Sequence, residues 1–378
     1  MAAIANKTTV SGSCEPGYES VRAALIENLA DDLGGSAAMT VDGVVVADVW
    51  GGHRDLARTA PWEADTISCV WSTTKMASAL CVLMLVERGE LDLEAPVAQY
   101  WPEFAAAGKE QVLVRHVMSH TAGLPEFAEP VDDALVFDWD ACCALLAAQA
   151  ASWTPGDGSG YHAETQGWLL GELVRRVTGT TIGSFFAANV NQPLGLDFHI
   201  GLDDSHFSRV AEMATLRAEP TVQGAGMRSL HLVNAPSWRR GEFPASGGHT
   251  NARSVALAMA PIANGGIGLS PEGEQVQLLS PSTIDRIFEV QAAGVDRSLG
   301  RPITFGIGFG LTDDATPLGT NDRTCWWAGW GGSMCVIDVE NRMTVAYTMN
   351  QMRGSDDFRA ARVVFAAHEA MALARARG

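Results

Sequence analysis

The chain has 378 residues, 47% of them hydrophobic, and a formal net charge of −18. That length and apolar content suit one large or two closely packed globular units. The acidity speaks against a nucleic-acid partner or an anionic membrane surface, both of which want basic patches, and no apolar run reaches membrane-spanning length.

The opening stretch from Met1 to Lys7 has no apolar core of the kind a secretory signal carries. The seven cysteines (Cys14, Cys69, Cys81, Cys142, Cys143, Cys325 and Cys335) are odd in number and scattered. Together these features predict reduced thiols in a cytoplasmic protein. Cys142 and Cys143 are adjacent rather than in Cys-x-x-Cys spacing, which speaks against zinc or thioredoxin-type chemistry.

Val21, Leu25, Ile26 and Leu29 recur at helical spacing and predict a helix over about 17–33. Asp42-Gly43 between the apolar runs Ser36–Thr40 and Val44–Trp50 predicts a hairpin. Met76, Leu80, Leu83 and Met84 mark a helix that stops at Gly89. From there to about residue 200 the pattern is of helical segments and loops, with turns at Gly123-Leu124-Pro125 and Thr154–Gly160. Leu169, Leu173 and Val177 mark a further helix closed by Gly179. The Gly, Pro and Ser clusters of 201–300 suggest loops between short elements. Thr324–Trp330, Ser333–Val339 and Met343–Met349 read as strands, and Ala360–Ala374 as a terminal helix. Strands at both ends and helices between predict an α+β fold. One antiparallel sheet is built from both ends of the chain and flanked by terminal helices. The expected units are 1–75 with 231–378, carrying the sheet, and a mainly helical 76–230, with the site in the cleft between them.

Ser72-Thr73-Thr74-Lys75 stands at the head of an apolar helix. A Ser three residues before a Lys sets hydroxyl and amine one turn apart on one face, the geometry of a Lys-activated nucleophile. The plainer alternative for Ser72 is a helix cap. Lys75 is one of three lysines, with Lys7 and Lys109, and sits beside Met76, Ala79 and Leu80. Desolvation there lowers an amine's pKa and makes it a base. Of the four tyrosines, Tyr18 starts the first helix, Tyr100 sits in a packed turn and Tyr347 lies within a strand. Tyr161 follows a Gly-rich turn and opens a helix, where it can project into a cleft as a third proton-transfer group. Trp327-Ala328-Gly329-Trp330-Gly331-Gly332-Ser333 fits an edge strand offering an oxyanion N–H, its glycines allowing close approach and its tryptophans lining an apolar pocket. A glycine bulge between packed strands explains the same residues. His116 and His120 are four apart, but no Glu follows His116 as in zinc proteases. No Gly-x-Ser-x-Gly elbow is present for a Ser-His-Asp triad.

Ser72-Thr73-Thr74-Lys75, Tyr161 and Trp327-Ala328-Gly329 resemble the three motifs of the family VIII carboxylesterases, relatives of class C β-lactamases and DD-peptidases. Val49-Trp50-Gly51-Gly52, Tyr100–Phe104, Ser119–Pro125 and Ala328–Ser333 resemble the same family, in the same order, over nearly the whole chain. The resemblance implies a β-lactamase-like fold. It also implies Ser72 as acylated nucleophile, Lys75 and Tyr161 as base system, and the backbone N–H groups of Ser72 and Trp330 as oxyanion hole. Trp327 and Gly329 belong to the third motif, and His162, Trp326 and Gly331 are candidate pocket residues. Tyr161 would pass a proton to the leaving alcohol and later activate water. Two positions depart from the lactamase pattern. Ala163 replaces the Asn of Tyr-x-Asn, which holds a substrate amide, and Trp327 replaces the Lys of Lys-Thr-Gly, which meets a substrate carboxylate. Loss of both polar anchors favours an uncharged ester over a lactam. The expectation is therefore a carboxylesterase for small or aryl esters that needs no metal or cofactor and has no nucleic-acid or membrane partner. Lactam, amide or D-peptide hydrolysis, acyl transfer and a non-catalytic binding role are the alternatives, and the oligomeric state is not specified.

Overall fold

A computed structural model describes residues 9–215, 231–354 and 356–377. The signal-peptide reading of Met1–Lys7 and the end of the expected helical unit, up to 230, lie outside them.

The hairpin forms where the sequence places it. Strands β2 (Gly34–Val41) and β3 (Val44–Gly52) are joined by Asp42 at φ 52° and Gly43 at φ 79°. Positive φ at both central residues is the tight-turn geometry whose twist matches that of the strands it joins. Short strand β1 (Val10–Cys14) pairs on the outer edge of β3. Strands β4 (Ser68–Cys69), β5 (Phe198–His199) and β6 (His249–Thr250) form a small separate sheet, and β7 (Ile267–Leu269) pairs with β8 (Gln275–Gln277). The C-terminal third adds β9 (Ala292–Val295), β10 (Pro302–Phe305), β11 (Gly310–Leu311), β12 (Thr324–Ala328), β13 (Met334–Asp338) and β14 (Met343–Met349). Among the described residues the main sheet has nine antiparallel strands in the order β1-β3-β2-β14-β13-β12-β11-β10-β9. Pairing of β2 with β14, Ala37 opposite Tyr347, closes the two ends of the chain into one sheet.

Six helices of ten residues or more are described: α1 (Glu19–Asn28), α2 (Thr74–Glu87), α3 (Trp139–Ala148), α4 (Thr165–Thr178), α5 (Ala252–Ala263) and α6 (Arg359–Arg377). α1 and α6 pack together on one face of the sheet. α5 covers the other, where Ser36, Thr40, Thr344 and Thr348 form a buried hydroxyl stripe. Ser36 bonds Thr348, Thr40 bonds Thr344, the Thr344 hydroxyl donates to the Ala256 carbonyl and the Ala252 N–H to Ser36, so the stripe buries no unpaired hydroxyl. The sequence did not foretell α5.

Three expectations change. β12 is interior, flanked by β11 and β13, rather than an edge strand. β12 ends at Ala328, so Trp330 lies in the following turn. α1 is shorter than 17–33, because the chain must turn over residues 29–33 to enter β2. α2 keeps its expected stop, with Gly89 left-handed at φ 70°, and every residue from Thr74 to Leu85 is buried. Such an all-round apolar helix forms the centre of the core rather than a surface element.

Candidate active site

Ser72 occupies a 3₁₀ turn, Trp71–Thr73, that runs into α2. It is not a side-chain cap. The residue before it, Trp71, sits in the left-handed region at φ 48°. A bulky side chain there is strained, and such strain persists where surrounding packing enforces it. Here the Trp71 ring is wedged between Trp238 at 6.0 Å and Trp330 at 5.3 Å. Thr74 secures the turn, donating to the Trp71 carbonyl at 2.6 Å and accepting the Gly248 N–H at 2.8 Å.

Lys75 and Tyr161 converge on Ser72 as the sequence suggested. Lys75 Nζ lies 3.2 Å from Ser72 Oγ and donates to the carbonyls of Ala163 at 2.6 Å and Ala245 at 2.9 Å. Burial lowers the lysine to about 7, against the opposing pull of Glu164. Tyr161 donates its hydroxyl to Ser72 Oγ at 2.7 Å. Burial pushes its phenol up to about 12, with the Ser72 hydrogen bond and the Trp327 indole pulling the other way. Tyr161 is not on a helix: it precedes α4 in an irregular segment. Its backbone N–H is held at 3.0 Å by Asp296, a fully buried carboxylate that also accepts the N–H groups of Ser298 and Leu299.

The third motif reaches the site through its turn. Gly332 N–H bonds the Gly329 carbonyl at 3.2 Å and Gly331 has φ 83°, the hallmark of a type II turn with Trp330 and Gly331 at its centre. Ser333 Oγ reaches across to the Val70 carbonyl at 2.7 Å and to the Thr73 hydroxyl at 3.0 Å, joining this turn to the one bearing Ser72. A Cβ on Gly329 would lie 2.2 Å from both Ser333 Oγ and the Val70 carbonyl, so only glycine permits that approach. Among the described residues the Trp330 N–H has no acceptor.

The pocket candidates fare unevenly. Gly331 is in the turn, its carbonyl accepting the Arg353 N–H. Trp326 turns to the opposite face of β12 from Trp327 and bonds the Leu311 carbonyl at 3.2 Å, because strand side chains alternate. His162 is fully buried. Its Nε2 accepts the Leu124 N–H at 3.0 Å and its Nδ1 lies 2.6 Å from the Gly160 carbonyl, so it packs behind Tyr161 rather than lining a cleft. Burial drops it to about 4. His120, raised above as half of a possible metal pair, is buried against Tyr161 (4.9 Å), Phe305 (5.0 Å) and Trp327 (5.3 Å). Its Nδ1 accepts the His162 N–H, and burial holds it well below the usual histidine range. His116 instead accepts the Leu113 N–H. No cluster of metal-ligating side chains occurs among the described residues.

A narrow apolar slot is walled by Trp168, Trp238, Phe243 and Ala245 with Glu164 at its margin, and Ala245 links it to Lys75 through the carbonyl that accepts from the amine. Trp238 and Phe243 stack at 4.2 Å. Aromatic rings thus run in contact from Trp330 through Trp71 and Trp238 to Phe243. Glu164, Asp296 and this wall were not legible in the sequence. The two carbonyls on Lys75 carry no residue signature at all, since any residue supplies a carbonyl.

Comparisons with known proteins show the family and the fold. The family model described as Beta-lactamase matches residues 22–369. The chain is 32% identical over 345 residues to the esterase/β-lactamase LipL of Mycobacterium tuberculosis, covering 84% of this chain and 77% of that protein. It is 30% identical over 336 residues to the esterase EstB of Burkholderia gladioli, covering 79% and 81%. A solved structure of a family VIII carboxylesterase superposes with a TM-score of 0.89 at 37% identity, over 96% of this chain and all of that one. With the family model spanning nearly its whole length, this chain belongs to the β-lactamase family, and its likeness within that family extends to esterases.

Proposed function

We propose that the protein is a serine carboxylesterase that hydrolyses small or aryl esters through an acyl-enzyme on Ser72. The observation that carries this reading is the position of Ser72 Oγ between Lys75 Nζ and the Tyr161 hydroxyl. At neutral pH a lysine near 7 is substantially the free amine, whereas a phenol near 12 keeps its proton. Lys75 is therefore the base of the free enzyme and Tyr161 the acid. The amine's two N–H groups serve the Ala163 and Ala245 carbonyls, which leaves its lone pair for the Ser72 hydroxyl.

Ser72 Oγ attacks the ester carbonyl while its proton passes to Lys75. The Trp330 and Ser72 N–H groups meet the developing oxyanion. Collapse breaks the bond to the alcohol, which leaves with the Tyr161 proton, so a phenolate then stands beside the Lys75 ammonium. The phenolate takes a proton from water as that water attacks the acyl carbonyl. The second collapse frees the acid, and Ser72 recovers its proton from Lys75. All three groups end as they began.

Ala163 and Trp327 support an uncharged substrate, because neither side chain supplies the amide that would hold an acylamino group or the cation that would meet a carboxylate. We place the cleft between the sheet-bearing unit (1–75 and 231–378) and the mainly helical 76–230. We also place the protein in the cytoplasm, a reading that rests on its seven cysteines, none of which forms a disulfide among the described residues.

Short-chain p-nitrophenyl esters test the activity. Turnover is expected in the parent and its loss in Ser72→Ala, and equal turnover in the two would refute the assignment. A chromogenic cephalosporin is expected to give a far lower kcat/KM than the ester, and the reverse order would make the protein a lactamase.

A further inference from the structure

The Trp330 N–H can serve an oxyanion only if its turn is held still, and the hold comes from the far end of the chain. Arg359, the first residue of α6, is buried beneath the turn. Its Nη2 donates to the Gly331 carbonyl at 2.8 Å and to the Gln351 carbonyl at 2.9 Å. The same guanidinium pairs with Asp32, which is fully buried, and with Asp357. Asp32 is fixed in turn by the Tyr347 hydroxyl at 2.8 Å. A Cβ on Gly332 would lie 2.7 Å from Arg359 Nη2 and 2.4 Å from Asp357 Oδ2, so the turn rests directly on this network. A rigid planar fork with several simultaneous acceptors suits an anchor, which the flexible stem of a lysine would not.

We propose that Arg359 is a positioning residue for the reaction proposed above: anchored on Asp32 and Asp357, it fixes the Gly329–Gly332 turn and so aims the Trp330 N–H at the oxyanion. It touches no substrate. Its removal should weaken transition-state binding while leaving ground-state binding alone, which predicts a fall in kcat at constant KM.

The test compares the parent with R359M and with the double variant D32N/R359M, which removes the buried carboxylate's charge together with its partner and so protects against simple misfolding. Active serines are counted by labelling with a serine-reactive phosphonate, and kcat is expressed per labelled serine with p-nitrophenyl acetate as substrate. Both variants are expected to lose about 100-fold in kcat, the scale of losing one oxyanion donor, with KM within threefold of the parent. The rate of phosphonate labelling should fall in parallel. A purely structural role would lower Tm or the labelled fraction and leave kcat per serine unchanged, which would overturn the proposal, as would a rise in KM alone. Failure of the parent to be labelled at Ser72 would instead bring down the serine-esterase reading and this inference with it.

Discussion

At the scale of single residues, the site turns on one desolvated amine. His120 and His162 are both held neutral by burial, the latter near 4, so neither titrates close to neutrality. On the proposed mechanism the group left to govern rate there is Lys75. Burial lowers its pKa, and the base form exists above that value. We therefore expect kcat/KM for a neutral ester to rise with pH, half-maximal near 7, and a flat profile from pH 5 to 9 would contradict the assignment. Glu164 pulls the lysine upward, so Glu164→Gln should move the inflection to lower pH, and a shift upward would show that its charge acts otherwise. Tyr161→Phe removes the group proposed to protonate the leaving alcohol. Its expected cost in kcat/KM, which reports acylation, is roughly 10²- to 10⁴-fold for an alkyl ester, and the loss should be smaller for p-nitrophenol, which departs without a proton. Equal losses on both esters would argue against that role.

Among the elements, two turns matter more than the strands and helices they join. The Trp71–Thr73 turn and the Gly329–Gly332 turn are bolted together by Ser333. Gly329→Ala would drive a methyl group into that bolt. Because displacement by about an ångström can cost about 100-fold in rate, we expect a loss of that order with far-UV circular dichroism unchanged, and parent-like kcat/KM would show that the two turns can separate freely. These turns also mark where the sequence could and could not be read. Asp42-Gly43 announced its hairpin because left-handed backbone at two successive residues demands such a pair. The convergence of Ser72, Lys75 and Tyr161 could be expected because two of them are scarce in their setting: a lysine in an apolar helix, and the one tyrosine of four that follows a Gly-rich turn. Trp330 was mistaken for strand because its tryptophans carry strand propensity, while the glycines that turn the chain there also suit a bulge. β9–β11 are two to four residues long, too short to show alternation, and so β12 looked like an edge. Arg359 was invisible because its value lies in a contact with a distant carbonyl.

For the molecule as a whole, six of the seven thiols are buried and Cys14 alone is partly exposed. Burial raises the Cys69 thiol to about 11, and thiolate is the reactive form. We expect a disulfide reagent to modify no more than one thiol in the native protein and all seven in guanidinium chloride; rapid native reaction of several would show that the interior opens readily. The sheet that closes both ends of the chain has a further consequence, for how the protein is made. Thr40 and Thr344 meet across β2 and β14 from positions 304 apart, and Thr73 reaches Ser333 across 260. Contacts so distant in sequence make folding slow. On the ribosome, β2 has no neighbour on its β14 side until Met343–Met349 has emerged, and the turn that would complete the proposed oxyanion hole arrives just before it. Catalytic competence is thus expected only once β14 is available, and a nascent chain stalled before β14 should be inert even though Ser72, Lys75 and Tyr161 are already outside the exit tunnel.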